Sequence, residues 1–125
     1  MELDFTVRPV VVIYLSQISL AEEIQYVLYG LEEEQIPYSL EQENLSTAVE
    51  AAYAAANQSS LNVGIGYVNN EVALHYKNLA PETPYQAIQR VVTCPSLLLK
   101  KFGGNAARLV KGVPFKSIDL LEVKK

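Results

Sequence analysis

Pro9-Val10-Val11-Val12-Ile13-Tyr14-Leu15, followed by Ser16-Gln17-Ile18-Ser19-Leu20-Ala21-Glu22, decides the fold class of this 125-residue chain. The first seven residues form an apolar, β-branched run with no polar alternation. Such a run suits a central strand buried on both faces, as in a parallel sheet covered by helices. Ser19 and Glu22 have the spacing of a capping box, which predicts a helix from Ser19 to about Glu34. Leu20, Ile24, Val27, Leu28 and Leu31 give that helix one apolar stripe. The face opposite carries Glu22, Tyr26, Tyr29 and Glu33. Two tyrosines and a carboxylate there suit either a solvated surface or a partner-facing one, since tyrosine is enriched at interfaces. Glu32-Glu33-Glu34 sits at the end of the helix where the macrodipole disfavours acids, and a nearby cation would offset that.

Downstream of Pro37, Tyr38–Gln42 reads as a second strand. Asn44, Ser46 or Thr47 can cap the next helix, Thr47-Ala48-Val49-Glu50 repeating the capping-box pattern, and residues 47–57 are an alanine-rich helix whose small side chains permit close approach to a sheet. Leu61–Val68 is a third strand with Gly64 and Gly66 on one face, so something packs closely there. Asn69-Asn70 is a two-residue hairpin turn leading into an antiparallel strand, Glu71–Lys77. In it Val72, Leu74 and Tyr76 point one way, and Ala73, His75 and Lys77 the other. Thr83 is positioned to cap a helix starting at Pro84, with Ala87, Ile88, Val91 and Val92 on its apolar side. Gly103-Gly104 then reads as the entry to a short basic helix that carries Arg108 and Lys111 toward a partner and stops at Gly112 and Pro114. Phe115–Val123 alternates as a final short strand. The expected architecture is a single three-layer α/β/α domain over residues 1–125, with a mixed, mostly parallel sheet of four to five strands.

Fourteen acidic against ten basic residues give a net charge of −4, which argues against a general affinity for nucleic-acid backbones. A single cysteine, Cys94, forbids an intrachain disulfide. No stretch reaches membrane-spanning length, and the apolar run at 10–15 is too short for a secretory leader. Together these features lead to the expectation of a cytoplasmic protein. With His75 as its only histidine, the chain cannot assemble a multi-histidine zinc site. It has no phosphate-binding Gly-x-x-x-x-Gly-Lys-Ser/Thr loop, no Gly-x-Ser-x-Gly elbow and no cobalamin-binding Asp-x-His-x-x-Gly pattern. Gly103-Gly104 remains a candidate anion cradle if a helix begins there. The residues point to binding rather than catalysis.

Three segments carry a resemblance. These are Gly30-Leu31-Glu32-Glu33-Glu34-Gln35-Ile36-Pro37-Tyr38, His75-Tyr76-Lys77-Asn78-Leu79, and Gly104-Asn105-Ala106-Ala107-Arg108-Leu109-Val110-Lys111-Gly112-Val113-Pro114-Phe115. In that order they resemble the small subunit of the reactivating factor of coenzyme B12-dependent diol and glycerol dehydratases, with Gln35 in place of a glycine and Tyr38 in place of a phenylalanine. The resemblance implies a fold similar to that of the dehydratase β subunit, and a non-catalytic, chaperone-like role. It implies pairing with an actin-like ATPase large subunit, which binds ATP or ADP. It also implies subunit exchange with the dehydratase β subunit, so that damaged cobalamin is released. By the Glu-Glu-Glu motif, Glu33 would share a magnesium ion with the large subunit, this chain binding no cofactor alone. Tyr26, Tyr29, Glu33, Arg108 and Lys111 would then form the partner interface. No membrane or nucleic-acid partner is implied, self-association of the isolated chain is allowed, and a bacterial microcompartment is the expected setting within the cytoplasm. Two other readings stand beside it: a β subunit of the dehydratase itself, and a free-standing small-molecule binder using the Gly103-Gly104 turn.

Overall fold

A computed structural model describes residues 9–112 and 123–124. The run that opens the chain forms β1 (Val11–Leu15), buried along its whole length. It pairs in parallel with β2 (Tyr38–Gln42) on one side and with β3 (Val63–Val68) on the other. β4 (Glu71–Tyr76) returns antiparallel to β3 through Asn69 and Asn70, both at positive φ, as the hairpin requires. β5 (Gln86–Gln89) and β6 (Val123–Lys124) complete a six-stranded sheet in the order β2-β1-β3-β4-β5-β6.

One face of the sheet is covered by a 3-10 segment, Ile18–Ile24, with α1 (Gln25–Glu33) and α3 (Ser96–Lys111). Here Ile13, Leu15, Ile65, Leu74 and Ile88 meet Val27, Leu31, Leu99 and Phe102. α2 (Ala48–Gln58) covers the opposite face, its Ala48, Ala51, Ala52 and Ala55 packing with Val12, Tyr14, Ala73 and Ala87. The expected three layers are therefore present. The close approach read from Gly64 and Gly66 is the seat of α2. A Cβ on Gly64 would lie 2.1 Å from the Ala56 amide nitrogen, and one on Gly66 2.5 Å from the Ala48 carbonyl oxygen.

Three expectations are corrected. The helix predicted from Ser19 begins as a 3-10 segment with Gln17 at its N-cap and no side-chain cap, so the Ser19–Glu22 box is not used. Only from Gln25 does the chain become α-helical. The helix predicted from Pro84 is instead the strand β5. Residues 86–89 fit either period, and the outer edge of β4 decides between them, since its backbone groups need a ladder partner. Ile88 lies opposite Val72 on the α1/α3 side, and Ala87 opposite Ala73 on the α2 side. This strand takes the sheet past four or five strands, and its pairings make the β3–β6 half antiparallel rather than the sheet mostly parallel.

The third correction concerns Gly103-Gly104. They open no helix. α3 starts seven residues earlier at Ser96, and both glycines are buried in its middle. Gly103 serves close packing: a Cβ there would stand 1.9 Å from the Val27 carbonyl oxygen of α1. Gly112, at φ 75°, ends the helix in the left-handed conformation, as expected. Of the strand expected over Phe115–Val123, residues 115–122 lie outside the described residues, and Val123 belongs to β6.

Candidate functional site

α1 and α3 cross with backbone almost touching backbone. Gly30 meets the Lys100 carbonyl and the Gly104 amide, while Gly103 meets Val27. Ordinary side chains at these positions would hold helix axes 8–10 Å apart. The crossing brings the acidic end of α1 beside the basic flank of α3, and the surface of interest is built there.

On α1, Tyr26 and Tyr29 are 44% and 39% exposed, large aromatic areas to leave in water. Their rings meet edge to face, with centroids 5.4 Å apart and planes at 88°. The Gln25 side-chain amide donates to the Tyr29 hydroxyl at 2.7 Å, which further orients that ring. The tyrosines are thus ordered against each other.

Each carboxylate of the glutamate triplet has its own partner. Glu32 accepts from the Tyr38 hydroxyl of β2 at 2.7 Å. Burial and this hydrogen bond, with the negative charge of Glu32, push the Tyr38 hydroxyl up to about 12. Glu33 pairs with Lys100 of α3, Nζ to Oε2 at 2.8 Å, and its side chain remains half exposed. Glu34 is approached by Arg108 at 3.5 Å and Lys111 at 3.1 Å. The cations that the macrodipole calls for at this helix end therefore come from α3. Arg108 and Lys111 are engaged with Glu34, the neighbour of Glu33 in the chain. Glu33, Tyr26 and Tyr29 all project from α1 into solvent, so the crossing brings every residue of the expected interface onto one layer of the fold.

The groups present do not make a complete cation site. A hard divalent cation seeks about six oxygen ligands. Here Glu33 is one carboxylate with an ammonium on one of its oxygens. Among the described residues no three His, Cys, Asp or Glu side chains gather where they could hold a metal ion. This chain can offer one carboxylate to a site completed elsewhere, provided that Lys100 moves aside.

The remaining candidates are structural. His75 is fully buried. Its Nδ1 lies 3.0 Å from the Tyr76 backbone nitrogen and 3.1 Å from the Tyr76 carbonyl oxygen, and its Nε2 lies 3.1 Å from the Pro81 carbonyl oxygen. It ties the loop after β4 to the sheet. With Gly103 and Gly104 inside α3, their amides face no open helix end, and the anion-cradle reading falls with the short helix on which it rested. Lys100 and Tyr38, which fix Glu33 and Glu32, carry no signal in the sequence that links them to the triplet. Sequence patterns within one helix cannot show which residues of a distant helix will cross it.

Comparison with known proteins places these features in context. A family model described as dehydratase medium subunit matches residues 8–116. The diol dehydratase-reactivating factor small subunit of Klebsiella michiganensis is 39% identical over 93 residues, 74% of this chain and 73% of that protein. The propanediol dehydratase-reactivating factor small subunit of Salmonella typhimurium is 39% identical over 92 residues, 74% of this chain and 78% of the relative. Among solved structures, a diol dehydratase-reactivating factor complexed with ADP and Mg2+ superposes with a TM-score of 0.81 at 34% identity, covering 89% of this chain and 100% of the other. A glycerol dehydratase reactivase superposes with a TM-score of 0.82 at 29% identity, covering 88% and 98%.

Proposed function

This chain belongs to the dehydratase medium subunit family, among the small subunits of dehydratase-reactivating factors, and from that premise we propose that it works by docking rather than by catalysis. In this reading it binds an actin-like ATPase large subunit, which holds the nucleotide. It then exchanges with the β subunit of a coenzyme B12-dependent dehydratase, so that damaged cobalamin can leave. The site of action is the cytoplasm, within a microcompartment where the dehydratase is so enclosed.

The observation that carries the docking reading is the outer surface of α1. Tyr26 and Tyr29 stand exposed and mutually ordered one turn apart, with the half-exposed Glu33 further along the same helix. Ordered tyrosines supply contact area at little entropic cost and are enriched among residues that dominate interface energy. We assign Glu33 the role of lending one carboxylate to a magnesium ion shared with the large subunit, Lys100 giving up its ion pair as the subunits join.

The test is assembly with the large subunit. Tyr26→Ala and Glu33→Ala are measured separately by calorimetry with and without magnesium. An anchoring tyrosine is worth about 2 kcal/mol or more, roughly a thirtyfold weakening. Glu33→Ala should abolish the magnesium dependence of assembly while the isolated chain keeps its melting temperature. Unchanged affinity in both variants would place the interface elsewhere.

A further inference from the structure

A second surface lies on the far side of the sheet from α1 and α3. There α2 packs on β1, β3 and β4. Between its flank and the loop that joins β4 to β5 runs an open groove of about 760 Å³. Its apolar lining is Val49 and Tyr53 from α2, Pro81 and Pro84 from the loop, and Ala87 from β5. The walls are stiff. The Tyr53 ring stands edge-on to the buried His75 ring, centroids 5.0 Å apart, and His75 Nε2 lies 3.1 Å from the Pro81 carbonyl. One buried imidazole therefore joins the helix wall to the loop wall. The two prolines restrict the loop further.

Charge selects what can enter. Glu50, Glu71 and Glu82 line the groove, and among the described residues no lysine or arginine lines it. Glu50 faces outward from the first turn of α2, where its carboxylate also accepts from the Ser46 backbone N–H. A second copy of the chain brings a net charge of −4 to the same place. Of the chain's own terminal stretches, the N-terminal one is no better matched, with Glu2 and Asp4 against Arg8, and the C-terminal one is close to charge balance, with Lys116, Lys124 and Lys125 against Asp119 and Glu122. A nucleic-acid backbone is repelled outright.

We propose that this groove docks a cationic segment of a partner protein, one that seats an aliphatic side chain on Val49, Tyr53 and Pro84 and sets lysine or arginine against Glu50, Glu71 and Glu82. The surface is separate from the Tyr26–Tyr29–Glu33 face, and the proposal stands whether or not that face binds the large subunit. Two opposed surfaces would let the chain be held by one partner while it engages another.

The test uses the whole chain and a fluorescein-labelled peptide of alternating lysine and leucine, read by anisotropy, with an alternating glutamate–leucine peptide as control. Saturable binding of the cationic peptide alone is expected. The double variant Glu71→Lys, Glu82→Lys should weaken it by about tenfold or more, since opposed charges become like charges. A matched double variant on and just beyond the distant β2 edge, Glu41→Lys, Glu43→Lys, changes net charge equally and should weaken it by less than about threefold. Amide hydrogen exchange on the unmodified chain should show peptide-dependent protection at 46–53 and 80–87, a readout independent of how well the variants fold. Equal weakening by the two variants, binding of the acidic peptide, protection confined to other segments, or a dimer that the groove variant dissociates would each overturn the proposal.

Discussion

Gly103→Ala tests the helix crossing that organises the α1/α3 surface. In an isolated helix the change stabilises, because alanine is favoured over glycine by about 1 kcal/mol. In the folded chain the new Cβ would lie 1.9 Å from the Val27 carbonyl oxygen, with the Val27 carbonyl carbon at 2.8 Å. Even 3.0 Å is a limit real Cβ atoms essentially never cross, so α1 and α3 must part by roughly 1 Å. The obstructing atoms are backbone, with no flexible side chain to yield. Overpacking of this kind costs typically about 1–3 kcal/mol, occasionally more, and rigid backbone on both sides puts this case at the upper end. Allowing for the helix propensity gained, a net loss of about 2 kcal/mol is expected. In urea, where small domains lose about 1–3 kcal/mol per molar, the midpoint should fall by about 1 M at unchanged slope. Separation of the helices should also loosen the Lys100–Glu33 pair. Gly112→Ala is the useful comparison, since nothing lies within 4 Å of its Cβ position and only the positive φ opposes it, at about 1 kcal/mol. If Gly103→Ala raised the midpoint, backbone contact between α1 and α3 would be refuted.

Two further predictions concern single hydrogen bonds. Thr47 Oγ1 accepts from the Glu50 backbone N–H at 3.0 Å, so Thr47→Ala should cost about 1 kcal/mol of stability, read from the urea midpoint, while Thr47→Ser should cost little. Tyr38 is raised from 10.0 to about 12 by burial and by Glu32, so the folded chain holds its proton longer than the unfolded chain does. The stability it contributes is fully present below pH 10.0 and should be lost as pH rises through about 12. Tyr38→Phe should flatten the fall in melting temperature over that window and remove one late tyrosinate transition from the ultraviolet titration. An unchanged alkaline profile would mean that the Glu32 contact is not formed.

Much of the fold was legible because its signals are local. The unbroken apolar, β-branched run at 10–15 suited a strand buried on both faces, and β1 is that strand. Asn69-Asn70 announced a hairpin because few residues tolerate two consecutive positive φ values. Thr47 and Glu50 marked the start of α2 because the capping hydrogen bond closes within one turn. The failures arose where a local signal was ambiguous. Ser19 and Glu22 have capping-box spacing, yet the chain there turns as a 3-10 segment between β1 and α1. Residues 84–92 fitted a helical stripe, and the unpaired edge of β4 claimed part of them as β5 instead.

The candidate site divides in the same way. Tyr26, Tyr29 and Glu33 could be placed on one outward face from helical period alone, and the glutamate triplet carried the family resemblance. That the triplet would meet Tyr38, Lys100, Arg108 and Lys111 could not be read, because those contacts join elements far apart in the chain. Gly103 and Gly104 show the distinction most directly. A glycine pair in sequence says only that the backbone is unusually free or unusually close to something. Sequence by itself determined that the chain would be a layered α/β domain with a tyrosine- and carboxylate-bearing helix face. Only the tertiary structure decided that the glycines lie inside a long helix, where the missing Cβ lets α3 rest on α1 and sets a basic flank against the acidic helix end.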